Sequence, residues 1–426
     1  MSERDPQLVT IEKPVYGGAF LAHAEGKALF VPLALPGEQA RVRVAEEKRG
    51  YATAEIEEIV EAAPQRTAPA CRHYGICGGC AYQHTDYATQ LAFKQTILRE
   101  TLARGGVPAP EHIGILSAEP WRYRNRIRLA FDAAGRPGYR GRRSHTVIPL
   151  AECPIAAPLL VRAALALADI VHSSARGAVP AELTLFCNAE ESALLMGITL
   201  AKQGKGTFDG LSAALHARIP ELRGIEWSLE GRKGQPARAV HRWGERSITY
   251  RAAGFDYRVD HGAFFQVNRH LLDAFVEHVA AERSGTLAWD LFAGVGLFAR
   301  RLTSSFERVV AVESAPASTQ ALAANLKHTR CVPVRASALD FLRREPAARP
   351  DLIVVDPPRA GLGPEVTSAL ARIAAPSLVY VSCDPATLAR DLRGLCDAGY
   401  TIASVTLADL FPQTFHLETV VELRRA

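Results

Sequence analysis

From Thr286 onward, short apolar runs alternate with helical stretches, the runs being Leu287 to Phe292, Arg308 to Glu313, Leu352 to Asp356 and Leu378 to Cys383. Few folds accommodate that rhythm. It predicts a parallel sheet wrapped in helices, because parallel neighbours need a crossover connection and a helix is the usual one. Ligands of such sheets sit outside the carboxyl ends of the strands. The residues that end these runs are therefore the first candidates for chemistry.

The first run continues into Asp290-Leu291-Phe292-Ala293-Gly294-Val295-Gly296-Leu297-Phe298-Ala299. Its glycines allow a tight turn and close backbone approach to a ligand. Glu313 ends the next run 19 residues after Gly294, where a carboxylate can accept hydrogen bonds from ribose hydroxyls. Gly294-x-Gly296-x-x-Ala299 also fits a nicotinamide or flavin fingerprint, so this loop alone leaves the nucleotide open. Further on, Asp356-Pro357-Pro358-Arg359 and Val381-Ser382-Cys383-Asp384-Pro385-Ala386-Thr387 each end a strand-like run. A cysteine at the second of these places stands on the ligand-facing rim.

Five separated motifs then stand in order: Phe265-Gln266-Val267-Asn268, the Asp290 to Gly296 loop, Asp356-Pro357-Pro358-Arg359, Ser382-Cys383-Asp384-Pro385-Ala386-Thr387, and Phe411-Pro412-Gln413-Thr414-Phe415-His416-Leu417-Glu418. In these the chain resembles the RNA 5-methyluridine (uracil-C5) methyltransferases. The resemblance implies an α/β fold: a Rossmann-like S-adenosylmethionine methyltransferase domain, an N-terminal OB-like β-barrel of the TRAM kind, and a central α+β domain. It also implies a cofactor-binding set of Gln266, Phe292, Gly294, Gly296, Glu313, Asp340 and Asp356, with Cys383 as nucleophile and Glu418 as base.

That chemistry explains why these residue types are needed. Uracil carbon 5 is too weak a nucleophile to take a methyl group from a sulfonium unaided. A thiolate adding at carbon 6 places electron density on carbon 5, and a carboxylate near carbon 5 then removes its proton so that the thiolate can leave. One departure stands out. The family has asparagine after the nucleophile, and here Asp384 follows, an anion that would raise the thiol pKa. Arg359 or Arg390 could offset it, or Asp384 could point away. The remaining cysteines Cys187, Cys331 and Cys396 read as small core hydrophobes.

At 426 residues the chain is expected to hold two or three domains, here 1–62, 63–260 and 261–426. In the first, Ala28 to Leu33, Glu38 to Val44 and Ala52 to Val60 read as strands of a small barrel, with Arg41 and Arg43 on one face and Val42 and Val44 on the other. A barrel with a basic face suits nucleic acid. Prolines between Ala62 and Pro69 mark a linker, and Tyr87 to Arg104 has helical spacing. No apolar run reaches the roughly 18 residues of a membrane helix, and the start, Met1-Ser2-Glu3-Arg4-Asp5, lacks an export signal. A cytoplasmic protein without a membrane partner is expected, and a monomer is assumed.

In a reducing compartment the close-set Cys71, Cys77 and Cys80 read as metal or cluster ligands, with Cys153-Pro154 as the candidate fourth. Spacing leaves zinc and an iron–sulfur cluster about even. By resemblance, these four positions bind a 4Fe-4S cluster, with zinc less favoured. Arg122, Arg124, Arg126 and Arg128 recur at every second residue, followed by Arg136, Arg140, Arg142 and Arg143. In one continuous strand the first four would share a face able to hold RNA phosphates.

Net charge is only +5, so the placement of the arginines says more than their sum. Within the family, barrel and cysteine set together favour 23S ribosomal RNA, with transfer RNA as the alternative. Two other classes remain on the table: an RNA-binding or folding factor with lost catalysis, for which only Asp384 speaks, and an oxidoreductase using the Gly294 loop and the cysteines.

Overall fold

The structure, a computed structural model, describes residues 5–108, 110–174, 179–202, 208–231, 235, 237–345 and 349–425. Residues 1–4, on which the reading of the N-terminal start rests, lie outside the described residues. Among those described, no helix is long and apolar enough to cross a membrane.

Five strands, β1 (Gln7–Val15), β2 (Ala19–Ala24), β3 (Lys27–Pro32), β4 (Gln39–Glu47) and β5 (Tyr51–Glu61), close into a barrel in the order β1-β2-β3-β5-β4. Alternation fills it: Val9, Ile11, Phe20, Ala22, Val31, Ala40 and Val42 point inward and are buried. Arg41 and Arg43 point outward as expected, but antiparallel pairing of β4 with β5 sets Arg41 against Glu58, and Arg43 is bonded to Glu57. The expected basic face is therefore largely neutralised by the neighbouring strand.

The chain then runs into the helix Tyr87–Arg104, whose Asp86 caps the first turn by accepting from Thr89 N at 2.8 Å. This helix belongs to two cores at once: Phe93 packs into the barrel, and Ile97, Leu98 and Leu102 pack against the catalytic sheet. The next strand, β6 (Gly114–Leu116), is an edge of that same sheet. A single unit over 63–260 is thus not how these residues are distributed. Their apolar faces find partners in three bodies.

The central sheet holds β7 (Arg126–Phe131), β8 (Pro137–Arg140), β9 (Val147–Pro149), β10 (Val179–Cys187), β11 (Leu194–Lys202), β12 (Leu222–Leu229) and β13 (Arg238–Gly244), ordered β13-β12-β11-β10-β7-β8-β9. Helices Pro158–Ser174 and Phe208–Arg218 cover it through Leu160, Ala163, Ala164, Leu167 and Leu215. The hairpin β14 (Ser247–Ala252) and β15 (Phe255–Asp260) turns at Ala253-Gly254 and buries Tyr250, Tyr257 and Val259 in the catalytic core.

Last come β16 (Gly285–Leu291), β17 (Phe306–Glu313), β18 (Cys331–Arg335), β19 (Leu352–Val355), β20 (Ser377–Ser382), β21 (Tyr400–Ala408) and β22 (Thr419–Arg425). Their sheet runs β18-β17-β16-β19-β20-β22-β21-β6, with β16 to β20 parallel and β22 antiparallel to β20. Successive residues serve opposite faces: Ala288, Val309, Ala311 and Val354 one core, Trp289, Val310, Val312 and Ile353 the other. The strand order reverses between β16 and β19. A ligand crevice opens at that point, above the carboxyl ends.

Candidate active site

The crevice is a cavity of about 630 Å³, and its wall is built from strand ends. Phe292 to Val295 come from the turn after β16, Glu313 from the end of β17, Asp356 to Arg359 from the turn after β19, and Cys383 from the turn after β20. Glu418 arrives differently. Because β22 is antiparallel to β20, it begins where β20 ends, and the pairing Ser382 to Thr419 sets Cys383 and Glu418 side by side on one rim. Phe265 and Gln266 close another side.

The turn after β16 is shaped for a ligand. Phe292, Gly294 and Gly296 all have positive φ, at 67°, 56° and 92°, a strained state for a side-chain-bearing residue such as Phe292. A Cβ on Gly296 would meet Leu322 Cδ1 at 2.9 Å, whereas the space beside Gly294 is open. Glu313 accepts from Gly294 N at 2.8 Å and from Ser314 N and Ala315 N at 2.7 and 2.6 Å, which fixes its carboxylate under the turn. Asp290 accepts from Ala299 N at 2.8 Å with one oxygen, while its other oxygen is buried without a partner. Asp340 stands apart: it is exposed in the first turn of the helix Ala338–Arg344, bonded to Ser337, and is not among the residues lining the cavity.

Acids dominate the electrostatics. Burial pushes Asp290 up to about 8 and Asp356 up to about 7, and it raises Glu418 well above the carboxylate range, helped by Asp356. Gln266 Nε2 donates to Asp356 Oδ2 at 3.4 Å. Arg359 is the cation on the cavity wall. A pocket walled by the acids Asp356 and Glu418, with an open glycine turn and a fixed ribose-type acceptor, fits a nucleoside bearing a positive charge.

Cys383 feels the same field. Burial, then Glu418 and Asp356, push its thiol up to about 12, against the opposing pull of Arg359. Asp384 is not among those leading influences. Its Oδ1 caps the helix Pro385–Asp397, accepting from Ala386 N at 3.0 Å and Thr387 N at 2.9 Å, while Tyr16 reaches its Oδ2. Two of the alternatives left open by sequence are found together: the carboxylate is engaged in the helix cap, and Arg359 opposes the rise at Cys383. Arg390 is engaged with Asp391 and Ala360 O.

Since burial and two carboxylates all oppose the anion, little thiolate is expected at neutral pH. Iodoacetamide alkylation of Cys383 in the ligand-free protein, followed by peptide mass spectrometry, should climb about tenfold per pH unit up to about pH 11. Arg359→Gln should slow it further at every pH, and a plateau below pH 9 would contradict this field.

His416 was not singled out in the sequence as a site residue, although it stands within the tail motif. It lines the cavity, lies against Phe415 with centroids 4.3 Å apart and planes at 44°, and is pushed down to about 4 by burial and Arg359, so it is neutral.

A second, smaller cavity is lined by Cys71, Cys77, Cys80 and Cys153 together with Arg124 and Tyr139, so all four expected thiols meet in one place. Among the described residues, no group of three or more His, Cys, Asp or Glu is gathered tightly enough for a single metal ion. Cys187 and Cys331 are buried and Cys396 half-buried.

The four arginines do not share a face. Arg122 has φ 52°, Arg122 N and Arg124 N donate to Pro154 O and Ile155 O, and β7 starts only at Arg126. Arg124 turns into the cysteine cavity, and Arg126 lies 4.6 Å over the Phe186 ring, where burial lowers its pKa to about 10. Arg128 stays exposed, paired with Glu182, and with Arg140 and Arg143 lines an open cleft beside Gly78-Gly79. The period-two pattern is real, but the loop's bonds to its neighbours break the strand halfway.

Two family models match: tRNA (Uracil-5-)-methyltransferase over residues 348–426 and the TRAM domain over 3–56. A 23S rRNA (uracil(1939)-C(5))-methyltransferase of Chromohalobacter salexigens is 33% identical over 98% of this chain and 89% of its own. An RNA methyltransferase of Thermotoga maritima, uncharacterized, is 30% identical over 98% of both. The chain belongs to the RNA uracil-C5 methyltransferases. The crystal structure of the Pyrococcus abyssi tRNA (uracil-54, C5)-methyltransferase with S-adenosyl-L-homocysteine shares the fold of this methyltransferase, with TM-score 0.79 and 23% identity over 98% of this chain and 100% of that one. This methyltransferase therefore uses S-adenosylmethionine to methylate uracil carbon 5 in RNA, and an oxidoreductase reading of the Gly294 loop is set aside.

Proposed function

We propose that the protein methylates a uridine of 23S ribosomal RNA at carbon 5 through a covalent adduct on Cys383, with Glu418 as base, and that it works in the cytoplasm as a monomer. The observation carrying this is the Ser382 to Thr419 pairing, which brings thiol and carboxylate to one rim of the cofactor cavity. Bound S-adenosylmethionine supplies an electrophilic methyl group and a positive charge. In that field Asp356, Glu418 and Cys383 all ionise at lower pH than in the free protein, since burial disfavours the anion of each, with Asp356 adding to it for Glu418, and Glu418 and Asp356 for Cys383.

The thiolate of Cys383 bonds to carbon 6, the ring electrons move to carbon 5, and carbon 5 takes the methyl group as its bond to sulfur breaks. Glu418 then accepts the carbon 5 proton, the ring electrons return, and the bond between Cys383 Sγ and carbon 6 breaks, restoring both groups once Glu418 releases its proton. Gln266, Gly294, Gly296, Glu313 and Asp356 are proposed to hold the cofactor, with Phe292 beside them; Asp340 would join them only from outside the cavity wall.

The large-subunit target is favoured by the near full-length match to relatives named for 23S rRNA. A transfer RNA substrate is the second reading, favoured by the shared fold of the Pyrococcus abyssi enzyme. Incubating unmethylated ribosomal and transfer RNA fractions with labelled S-adenosylmethionine decides between them. Labelled 5-methyluridine in the large-subunit RNA supports the first reading, and label confined to transfer RNA replaces it with the second.

We further propose that Cys71, Cys77, Cys80 and Cys153 hold a 4Fe-4S cluster of structural role. Four thiols around one cavity are a suitable donor set. A zinc ion would draw its four sulfurs to about 2.3 Å from one centre, tighter than any such group among the described residues, and a four-iron cube accepts thiolates set wider apart. Anaerobically purified protein should contain about four iron and about four sulfide per chain, and Cys80→Ala should lose both. Zinc at one per chain without sulfide would contradict the cluster.

A further inference from the structure

The turn that joins β1 to β2, Tyr16-Gly17-Gly18, reaches the catalytic half, where Tyr16 meets Asp384, the residue after the cavity-lining Cys383. Tyr16 packs against the core on one face of the catalytic sheet, and in exchange Phe415, from the tail that carries Glu418, packs into the barrel core. The two rings meet edge to face, with centroids 5.9 Å apart and planes at 83°. The close fit depends on Gly18, where a Cβ would stand 2.9 Å from Ala81 Cβ and 3.3 Å from Phe415 Cδ1.

From Tyr16, contacts lead to both catalytic groups. On one side its hydroxyl donates to Asp384 Oδ2 at 3.4 Å, a long hydrogen bond to the residue that follows Cys383 and caps its helix. On the other, Tyr16 touches Phe415, and Phe415 lies against the tilted ring of His416, two residues before Glu418; the Nδ1 of His416 is 3.4 Å from Arg359 Nη2. Nucleophile and base stand on separate strands, β20 and β22. One aromatic side chain from the barrel touches the loops that continue from both.

We propose that Tyr16 is a positioning residue for methyl transfer, and that the barrel completes the active site by clamping the loop after Cys383 against the tail that carries Glu418. This rests on the assignment of Cys383 as nucleophile and Glu418 as base. A displacement of about 1 Å at reacting groups costs as much as a hundredfold in rate, so loss of the clamp should act on turnover rather than on RNA affinity.

The test compares Tyr16→Ala, Tyr16→Phe, Phe415→Leu and the double variant Tyr16→Ala/Phe415→Leu in the full-length protein, with an RNA transcript as substrate. Thermal melting and S-adenosylhomocysteine affinity report whether each variant is folded. Expected is a fall in kcat of about tenfold or more for Tyr16→Ala with KM for RNA within about threefold, and a smaller fall in kcat for Tyr16→Phe, which keeps the ring against Phe415 but loses the hydroxyl's bond to Asp384. The double variant should lose little more than either single one, because both break the same clamp. Unchanged kcat in Tyr16→Ala, or a raised KM with kcat intact, overturns the proposal, the latter making Tyr16 an RNA contact only. Should Tyr16→Ala fail to fold, Phe415→Leu and Tyr16→Phe carry the same kcat test. Cys383→Ala assayed alongside separates the two ideas: wild-type methylation by that variant sinks the covalent mechanism itself, whereas an inactive Cys383→Ala with a fully active Tyr16→Ala sinks only the clamp.

Discussion

Cys383→Ala is expected to lower methyl transfer to RNA by at least about four orders of magnitude, while S-adenosylhomocysteine affinity stays within about twofold. The size follows from the chemistry. Without a nucleophile at carbon 6 there is no route that puts electron density on carbon 5, so no other cavity residue can substitute. The selectivity follows from position: the glycine turn, Glu313 and Asp356, proposed to hold the cofactor, come from the ends of β16, β17 and β19, whereas Cys383 follows β20. Single-turnover label transfer and a calorimetric titration measure the two quantities. Residual activity above about one per cent would mean that the thiol only lines the pocket.

Lys94→Met should cost about 3–5 kcal/mol of stability, seen as a fall of roughly 10 °C in melting temperature. Lys94 is fully buried on the helix Tyr87–Arg104, its Nζ donating to Asp409 Oδ1 at 2.6 Å and to Phe411 O at 2.9 Å. Removing the ammonium leaves the buried Asp409 carboxylate uncompensated, and its second oxygen already lacks a partner. Burial lowers the pKa of Lys94, against the pull of Asp409. Most of the loss should return in Lys94→Met/Asp409→Leu, because an apolar pair avoids the desolvation cost that an ion pair must offset. Equal destabilisation in the single and double variants would show that packing, not charge, decides the site. Since Asp409 and Phe411 begin the tail that reaches Glu418, Lys94→Met should also lower kcat, whereas an exposed ion pair such as Arg343 with Glu365 should matter little.

The catalytic half of the molecule was legible because its strands are buried on both faces. Such strands read as unbroken apolar runs, and the expected Arg308 to Glu313 and Leu378 to Cys383 differ from the observed strands only at their ends. Their rim residues follow from the runs. Barrel strand β1 was missed because Pro14 and the charges of Glu12 and Lys13 obscure its alternation, and β2 is too rich in alanine to carry a strong signal. Two features depend on partners distant in sequence and had no local signature: β6 joining the catalytic sheet beside β21, and Phe415 and Tyr16 exchanging cores. The arginine repeat failed for a related reason. Period-two spacing implies one face only while the backbone stays extended, and the left-handed Arg122 together with the bonds of the 122–125 segment to residues 154, 155 and 267 ends that condition. Asp384 shows the converse. Its charge looked harmful beside the nucleophile, yet an N-cap position uses that charge against two amide groups and turns it from the thiol.

The covalent mechanism is tested most directly by Glu418→Gln incubated with its RNA and S-adenosylmethionine. If Glu418 removes the carbon 5 proton, attack and methyl transfer proceed but elimination stalls, and an RNA–protein adduct resistant to denaturation should accumulate, mapping by mass spectrometry to the peptide containing Cys383. Absence of any adduct in a variant that still binds RNA and cofactor, or a cross-link at another residue, would contradict the account.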